Sequence, residues 1–313
     1  MTTNIISLNI TTNKMPLPII KLEQVMPKDK DDCKCAPHLS FDNGSCMTLE
    51  ILIKLANAFN THCQETNTNN FIKIHDGMEL LHSDEYKRYL LFEMGKRFKG
   101  SQHDWIKHKC IQYLNEDEKD TLENNIFRPD GPQGKFEWLS TYDINFALAQ
   151  YENKYEDFQF LGAVPIDFAE LDNLPFKTLN FDDLYKNGKK RIAVIFNLDE
   201  HYKSGSHWVS LFADFDKGQV YFSDSFAVHP EKRIVEFIRK IEQYLKNERN
   251  ISEPDIRYNK TQHQKGNSEC GVYSINFILR LLKGKTFDHI TRKRITDTQV
   301  NKCRMIYFKK TKS

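Results

Sequence analysis

Three residues far apart in the chain carry the side chains that nucleophilic catalysis needs: Cys270, His207 and Asp224. Cys270 follows the polar, glycine-containing run Gln264-Lys265-Gly266-Asn267-Ser268-Glu269 and opens a mostly apolar stretch that ends at Leu282. The pattern predicts a loop that delivers a thiol to the first turn of a helix over 270–282. The positive end of a helix dipole favours a thiolate there. Gly271 would leave room for a substrate backbone beside the sulfur. Gln264, six residues upstream, is placed to offer an amide N–H to a developing oxyanion. The competing reading is a packed core cysteine, because cysteine is among the most buried residue types.

A thiolate nucleophile needs a base, and the base needs an orienting acceptor. His207 follows Ser204-Gly205-Ser206 and precedes the strand-like run Trp208-Val209-Ser210-Leu211-Phe212. Asp224 lies 17 residues further on, at the end of a second strand-like run over 219–224. Phe215-Asp216-Lys217-Gly218 between them reads as a hairpin turn with its glycine late in the loop. In such a hairpin the start of one strand and the end of the next are neighbours. His207 and Asp224 therefore come side by side, and the carboxylate can accept from the imidazole. A structural histidine and a turn aspartate capping Ser225 are the alternatives, and the hairpin pairing favours the dyad.

The seven cysteines are odd in number and scattered, the usage expected of a reducing compartment. Cys33, Cys35, His38 and Cys46 are grouped. The close pair, however, lacks the gap of roughly two to four residues usual for zinc, so neither metal nor cofactor is expected.

The elements that must hold these residues follow from pattern. A length of 313 residues suits one large or two ordinary domains. With 39% hydrophobic and 28% charged residues, most of the chain should fold. No run approaches the roughly 18 apolar residues of a membrane span, and the start lacks the pattern of a secretory signal. Residues 1–34, with Pro16, Pro18 and Pro27, read as a loose lead-in. A helical arm is expected over 35–128, with helices near 47–63, 83–98 (Ser83 as its cap) and 104–113. Pro129-Asp130-Gly131-Pro132-Gln133-Gly134 punctuates the chain before a core over 129–313. That core reads as α+β: helices over 141–153, 231–247 and 270–282, and strands over 160–164, 191–197, 207–214, 219–224 and 256–258. A net charge of +2 names no partner. From Lys283 to Ser313, however, ten basic residues face only Asp288 and Asp297. A solvated terminal helix and a frayed basic end are the favoured reading, and a weak DNA contact through this tail is the alternative.

His207-Trp208, then Asp224, then Gln264 ahead of Cys270-Gly271, in that chain order, resembles the cysteine proteases related to the SUMO proteases and the adenovirus protease. Trp138-Leu139-Ser140-Thr141 resembles the entry motif of that group, with Ser140 and Thr141 where Asn-Asp is usual. Tyr221-Phe222-Ser223-Asp224-Ser225, with 205–214 and 263–271, is similar to the polyprotein-processing proteases of African swine fever virus and other large DNA viruses. Cys35-Ala36-Pro37-His38-Leu39 resembles part of their helical arm. Their third catalytic position is an asparagine, whereas Asp224 follows the SUMO-protease type.

The resemblance implies a papain-like, adenain-like core with a triad of Cys270, His207 and Asp224. It also implies an oxyanion hole made by Gln264 and the Cys270 backbone N–H. It implies cleavage after small residues, typically at Gly-Gly or Gly-Gly-X. Trp138 and Trp208 would then lie over the substrate chain as a tunnel too narrow for a Cβ, with core packing as the alternative for each. The expectation is a thiol endopeptidase acting on viral core or capsid polyproteins, in the virion and at assembly sites in the host cytoplasm. Two other readings stay open: a protease for SUMO or ubiquitin-like proteins, and a non-catalytic binding module.

Overall fold

Leu52, Leu55, Ala56 and Phe59 recur at helical spacing and form the buried face of α1 (Leu49–Glu65). Thr48 caps this helix, its hydroxyl accepting the Ile51 N–H at 3.3 Å. The structure, a computed structural model, describes residues 17–28 and 30–310, so much of the expected lead-in lies outside the described residues. The chain divides into two units. One holds the described part of Met1–Cys33 together with Phe41–Leu122, and the other holds Lys34–Ser40 and the chain from Glu123 onward.

The first unit is helical: α1, α2 (Met78–Leu81), α3 (Ser83–Arg97) and α4 (Glu116–Asp120). Two expectations need correction. Ser83 is the first helical residue of α3 rather than its cap, and His82 before it makes no side-chain capping bond. The helix expected over 104–113 is instead two 3₁₀ segments, Gln102–Lys107 and Lys109–Tyr113. His108 separates them in extended backbone (φ −71°, ψ 145°), and its Nδ1 accepts the Cys110 N–H at 3.1 Å. It ends one turn and caps the next, which no apolar period reveals.

The second unit carries the sheet. In chain order it contains β1 (Asp130–Gly131), α5 (Thr141–Ala149), β2 (Phe158–Pro165), α6 (Phe181–Lys186), β3 (Arg191–Asn197), β4 (Trp208–Asp214) and β5 (Gln219–Ser223). Then come α7 (Lys232–Asn247), β6 (Asp255–Tyr258), α8 (Cys270–Leu282), α9 (Phe287–Thr291), α10 (Asp297–Asn301), α11 (Arg304–Tyr307) and β7 (Lys309–Lys310). The five-stranded sheet runs β2-β3-β4-β5-β6. Its central pairs are antiparallel, and β2 and β6 join in parallel at the two edges.

All seven residues of β4 are buried, because helices cover both faces of the sheet. Side chains alternate across a strand. Trp208 and Phe212 therefore join a cluster with Val272, Ile275 and Leu279 of α8. Val209, Leu211 and Ala213 join one with Ile234, Phe237 and Ile241 of α7. Eleven of the thirteen residues of α8 are buried, the mark of a core helix rather than a surface one.

The basic C-terminal stretch is built into the fold as far as Lys310, and the expected frayed end over 311–313 lies outside the described residues. Arg304 is fully buried. Its guanidinium donates to Asn301 Oδ1 (2.8 Å), the Pro132 carbonyl (3.2 Å), the Glu137 carbonyl (2.6 Å) and the Ser268 carbonyl (3.3 Å). One side chain thus fastens the segment before α5 to the loop before α8. Among the described residues, no helix is long and apolar enough to cross a membrane.

Candidate active site

The β4–β5 hairpin sets the first two groups. Its register pairs Ser210 with Ser223 and Asp214 with Gln219. His207 lies just before β4 and Asp224 just after β5, and His207 Nε2 meets Asp224 Oδ1 at 2.7 Å. Asp224 Oδ1 also accepts the Phe226 N–H at 2.8 Å. Carrying the register onward sets Phe226 opposite His207, and its ring centre lies 4.9 Å from the imidazole. Asn259, directly after β6, clamps the Asp224 backbone from the other side. Its Oδ1 accepts the Asp224 N–H at 2.9 Å and its Nδ2 donates to the Asp224 carbonyl at 2.8 Å.

The loop ahead of His207 is pinned as well. Gly205 has φ +89°, and a Cβ there would come within 2.9 Å of Asn197 Nδ2. Asn197 Oδ1 accepts the Ser206 N–H at 3.2 Å.

Cys270 is the first residue of α8 and 2% exposed, and its side chain acts on the His207 imidazole. Burial by itself would lower the imidazole pKa. The hydrogen bond to Asp224, then that to Cys270, and the charges of both outweigh it and raise the pKa to about 9. A group raised above its unfolded value stabilises the fold fully below that unfolded value, about 6.5, and loses the contribution as pH climbs through about 9. Across that window the stability contributed by this group should fall. Denaturant unfolding at pH 6.5 and pH 9 measures it, and His207→Gln should lack this part of the pH dependence. Equal dependence in both proteins would show that the imidazole is not held as described.

Gln264 is fully buried. Its Oε1 accepts from the Ser225 hydroxyl at 2.6 Å, which fixes the orientation of the carboxamide, and its Nε2 donates to the Gly266 carbonyl at 3.0 Å. Among the described residues the Gln264 Nε2 donates no second hydrogen bond. The His263 and Gln264 N–H groups both donate to the Ser225 carbonyl, at 2.8 and 2.9 Å. Ser225 therefore ties the loop carrying Gln264 to the residue beside Asp224. The Cys270 N–H, first in α8, has no intrahelical partner.

The remaining expected site residues fall differently. Gly271 does not open a path for substrate: it is buried, and a Cβ there would lie 3.1 Å from Leu139 Cβ. Its missing side chain makes room for Leu139. Trp208 is 5% exposed, and its indole N–H donates to the Leu139 carbonyl at 3.0 Å, so it is first a core residue. Trp138 is 49% exposed. Both still border one groove of about 440 Å³, shared with Ser140, Thr141, Ser204 and Gly205. Phe226 and Asn259 are the site neighbours that sequence reading misses. The hairpin register could have found Phe226. Of the residues weighed for zinc, Cys35 and Cys46 are each disulfide-bonded, which the scattered spacing does not signal. Among the described residues, no group of three or more His, Cys, Asp or Glu is arranged to hold a metal.

The model of the Ulp1 protease family, C-terminal catalytic domain, matches residues 182–313, a span that contains His207, Asp224, Gln264 and Cys270. A relative described as a thiol protease, from Acanthamoeba polyphaga mimivirus, is 37% identical over 273 residues, covering 86% of this chain and 90% of its own. The chain belongs to the Ulp1 protease family. A cysteine protease of African swine fever virus, also named a SUMO-1 cysteine protease, is 24% identical over 198 residues, 58% of this chain and 72% of that one. The crystal structure of the African swine fever virus protease superposes with a TM-score of 0.59 at 18% identity, over 89% of this chain and 96% of that one. The shared fold therefore extends well beyond the span of the family model. This Ulp1-family member is a cysteine protease with the mixed α+β core expected of it.

Proposed function

We propose that the protein is a thiol endopeptidase that cuts polypeptides after glycine, with Cys270 as nucleophile, His207 as acid and base, and Asp224 as its orienting partner. The observation that carries this reading is the His207–Asp224 bond at 2.7 Å, with the Cys270 side chain acting on the same imidazole and the carboxamide of Gln264 held in a fixed orientation. Cys270 Sγ attacks the carbonyl carbon, and the oxyanion lies between Gln264 Nε2–H and the Cys270 N–H. The His207 imidazolium gives its proton to the departing amine as the C–N bond breaks. The neutral imidazole then takes a proton from water, which attacks the thioester carbon. The acid product leaves, and the thiolate and imidazolium are restored.

The groove bordered by Trp138 and Trp208 supports a path for the substrate chain, and a preference for glycine at the cleaved position is part of this proposal. The viral origin of these relatives supports structural polyproteins as the substrate and assembling particles as the place of action. The name of the swine fever virus relative favours a second reading, a protease for SUMO-like proteins. Incubation with a panel of Gly-Gly-Ala peptides and, separately, with folded SUMO and ubiquitin-like precursors distinguishes the two. Peptide cleavage after the second glycine is expected. Brisk turnover of the folded precursors with none of the peptides would sink the polyprotein reading.

A further inference from the structure

Towards the far end of α8 from Cys270 lies a second polar cavity, of about 710 Å³. Helical rise places Arg280 about 15 Å along α8 from Cys270, so this cavity is separate from the groove bordered by Trp138. Arg280, His289, Arg292, Lys293 and Arg294 line it. The lining carboxylate, Asp288, is engaged by Arg257 at 3.2 Å. Among the described residues no carboxylate pairs with Arg280, Arg292 or Lys293, and Arg280 is half-buried. Burial holds the Arg280 guanidinium below its usual pKa. Arg294 meets the Asp297 carboxylate at 3.8 Å; the other three cations, Arg280, Arg292 and Lys293, converge on one concavity and repel one another, and a partly desolvated guanidinium is costly until an anion meets it.

The cavity is joined to the active site by short bonds. Arg294 Nε donates to the His263 carbonyl at 2.8 Å, and the Ile295 N–H donates to His263 Nδ1 at 3.0 Å. Two residues on, the Asp297 carboxylate accepts the Lys265 and Gly266 N–H groups, each at 3.1 Å, and the Tyr273 hydroxyl at 2.8 Å. The strap over 292–297 therefore holds both sides of Gln264, the amide assigned above to the oxyanion.

We propose that this cavity binds a compact ligand carrying two or more phosphate groups, and that the ligand steadies the strap and the Gln264 loop and so raises activity. Guanidinium forks match phosphate oxygens in pairs, and several converging cations call for more than one phosphate. The volume is that of a small-molecule pocket. A nucleic-acid duplex spreads its phosphates along an axis and presents no such compact cluster. The activation half of the inference rests on the thiol-protease reading, and the binding half does not.

Isothermal titration of tripolyphosphate into the Cys270→Ala protein reads binding without activity. Saturable binding at one site is expected. It should weaken about tenfold in a variant combining Arg292→Ala with Lys293→Ala, both exposed positions, and by a similar factor in Arg280→Gln. In the wild type, tripolyphosphate should raise kcat/KM on a glycine peptide by about fivefold, at ionic strength matched with chloride. Absence of saturable binding, or binding unchanged in both variants, overturns the site. Binding with unchanged kcat/KM overturns the coupling. A duplex oligonucleotide that displaces tripolyphosphate and binds more tightly overturns the compact ligand. If the wild type cleaves no peptide at all, the protease reading fails while the titration still decides the site.

Discussion

Replacing Cys270 with alanine should remove peptide cleavage, a loss on the order of 10⁶-fold in kcat, because members of a nucleophile–base unit act together. The mutation is mild for the fold. Alanine is a good residue for the first turn of α8, and the position already belongs to the apolar cluster under β4. The 2.7 Å bond of His207 to Asp224 does not involve the sulfur and should persist in the variant, so the loss reports on the sulfur and not on collapse of the site. A thiol alkylator should stop the wild type in proportion to the Cys270 modified. Cys110→Ala is the matching control, since burial pushes that thiol to about 12 and keeps it inert. Full activity in Cys270→Ala would remove this residue as the nucleophile and leave the arrangement to binding alone.

Replacing Arg304 with methionine should cost about 3 kcal/mol or more of stability, although the residue touches no part of the proposed chemistry. The guanidinium is fully buried and donates to three backbone carbonyls, those of Pro132, Glu137 and Ser268, besides Asn301. Methionine fills much of the volume and satisfies none of them, and each buried acceptor left bare costs roughly 1–3 kcal/mol. Lysine should rescue only in part, since an ammonium cannot reach all four acceptors with the spread of a planar guanidinium. Thermal unfolding should show a midpoint lower by roughly 5 °C. A shift near zero would mean that these carbonyls find other donors. Because Ser268 stands two residues before Cys270, Arg304→Lys should also lower activity at temperatures where the fold remains intact.

What the sequence by itself determined is local. The hairpin that joins His207 to Asp224 spans few residues, and its turn chemistry and strand alternation are written in adjacent positions. The loop that carries Gln264 into Cys270 is contiguous, and the apolar run after it marks the core helix. Those two segments hold the four residues of the proposed catalytic centre. The tertiary structure decided everything that reaches across the chain. Asn259 clamps Asp224 from 35 residues away, through a parallel pairing of β5 with β6 that has no turn signature in sequence. Arg304 supports the Cys270 loop across 36 residues and the segment before α5 across more than 160. Gly271 reads as space for a substrate until Leu139 is seen to fill it. Periodicity records which face of an element is buried but not which element covers it, so partners, edge strands and the basic cavity behind α8 emerge only when the chain is folded.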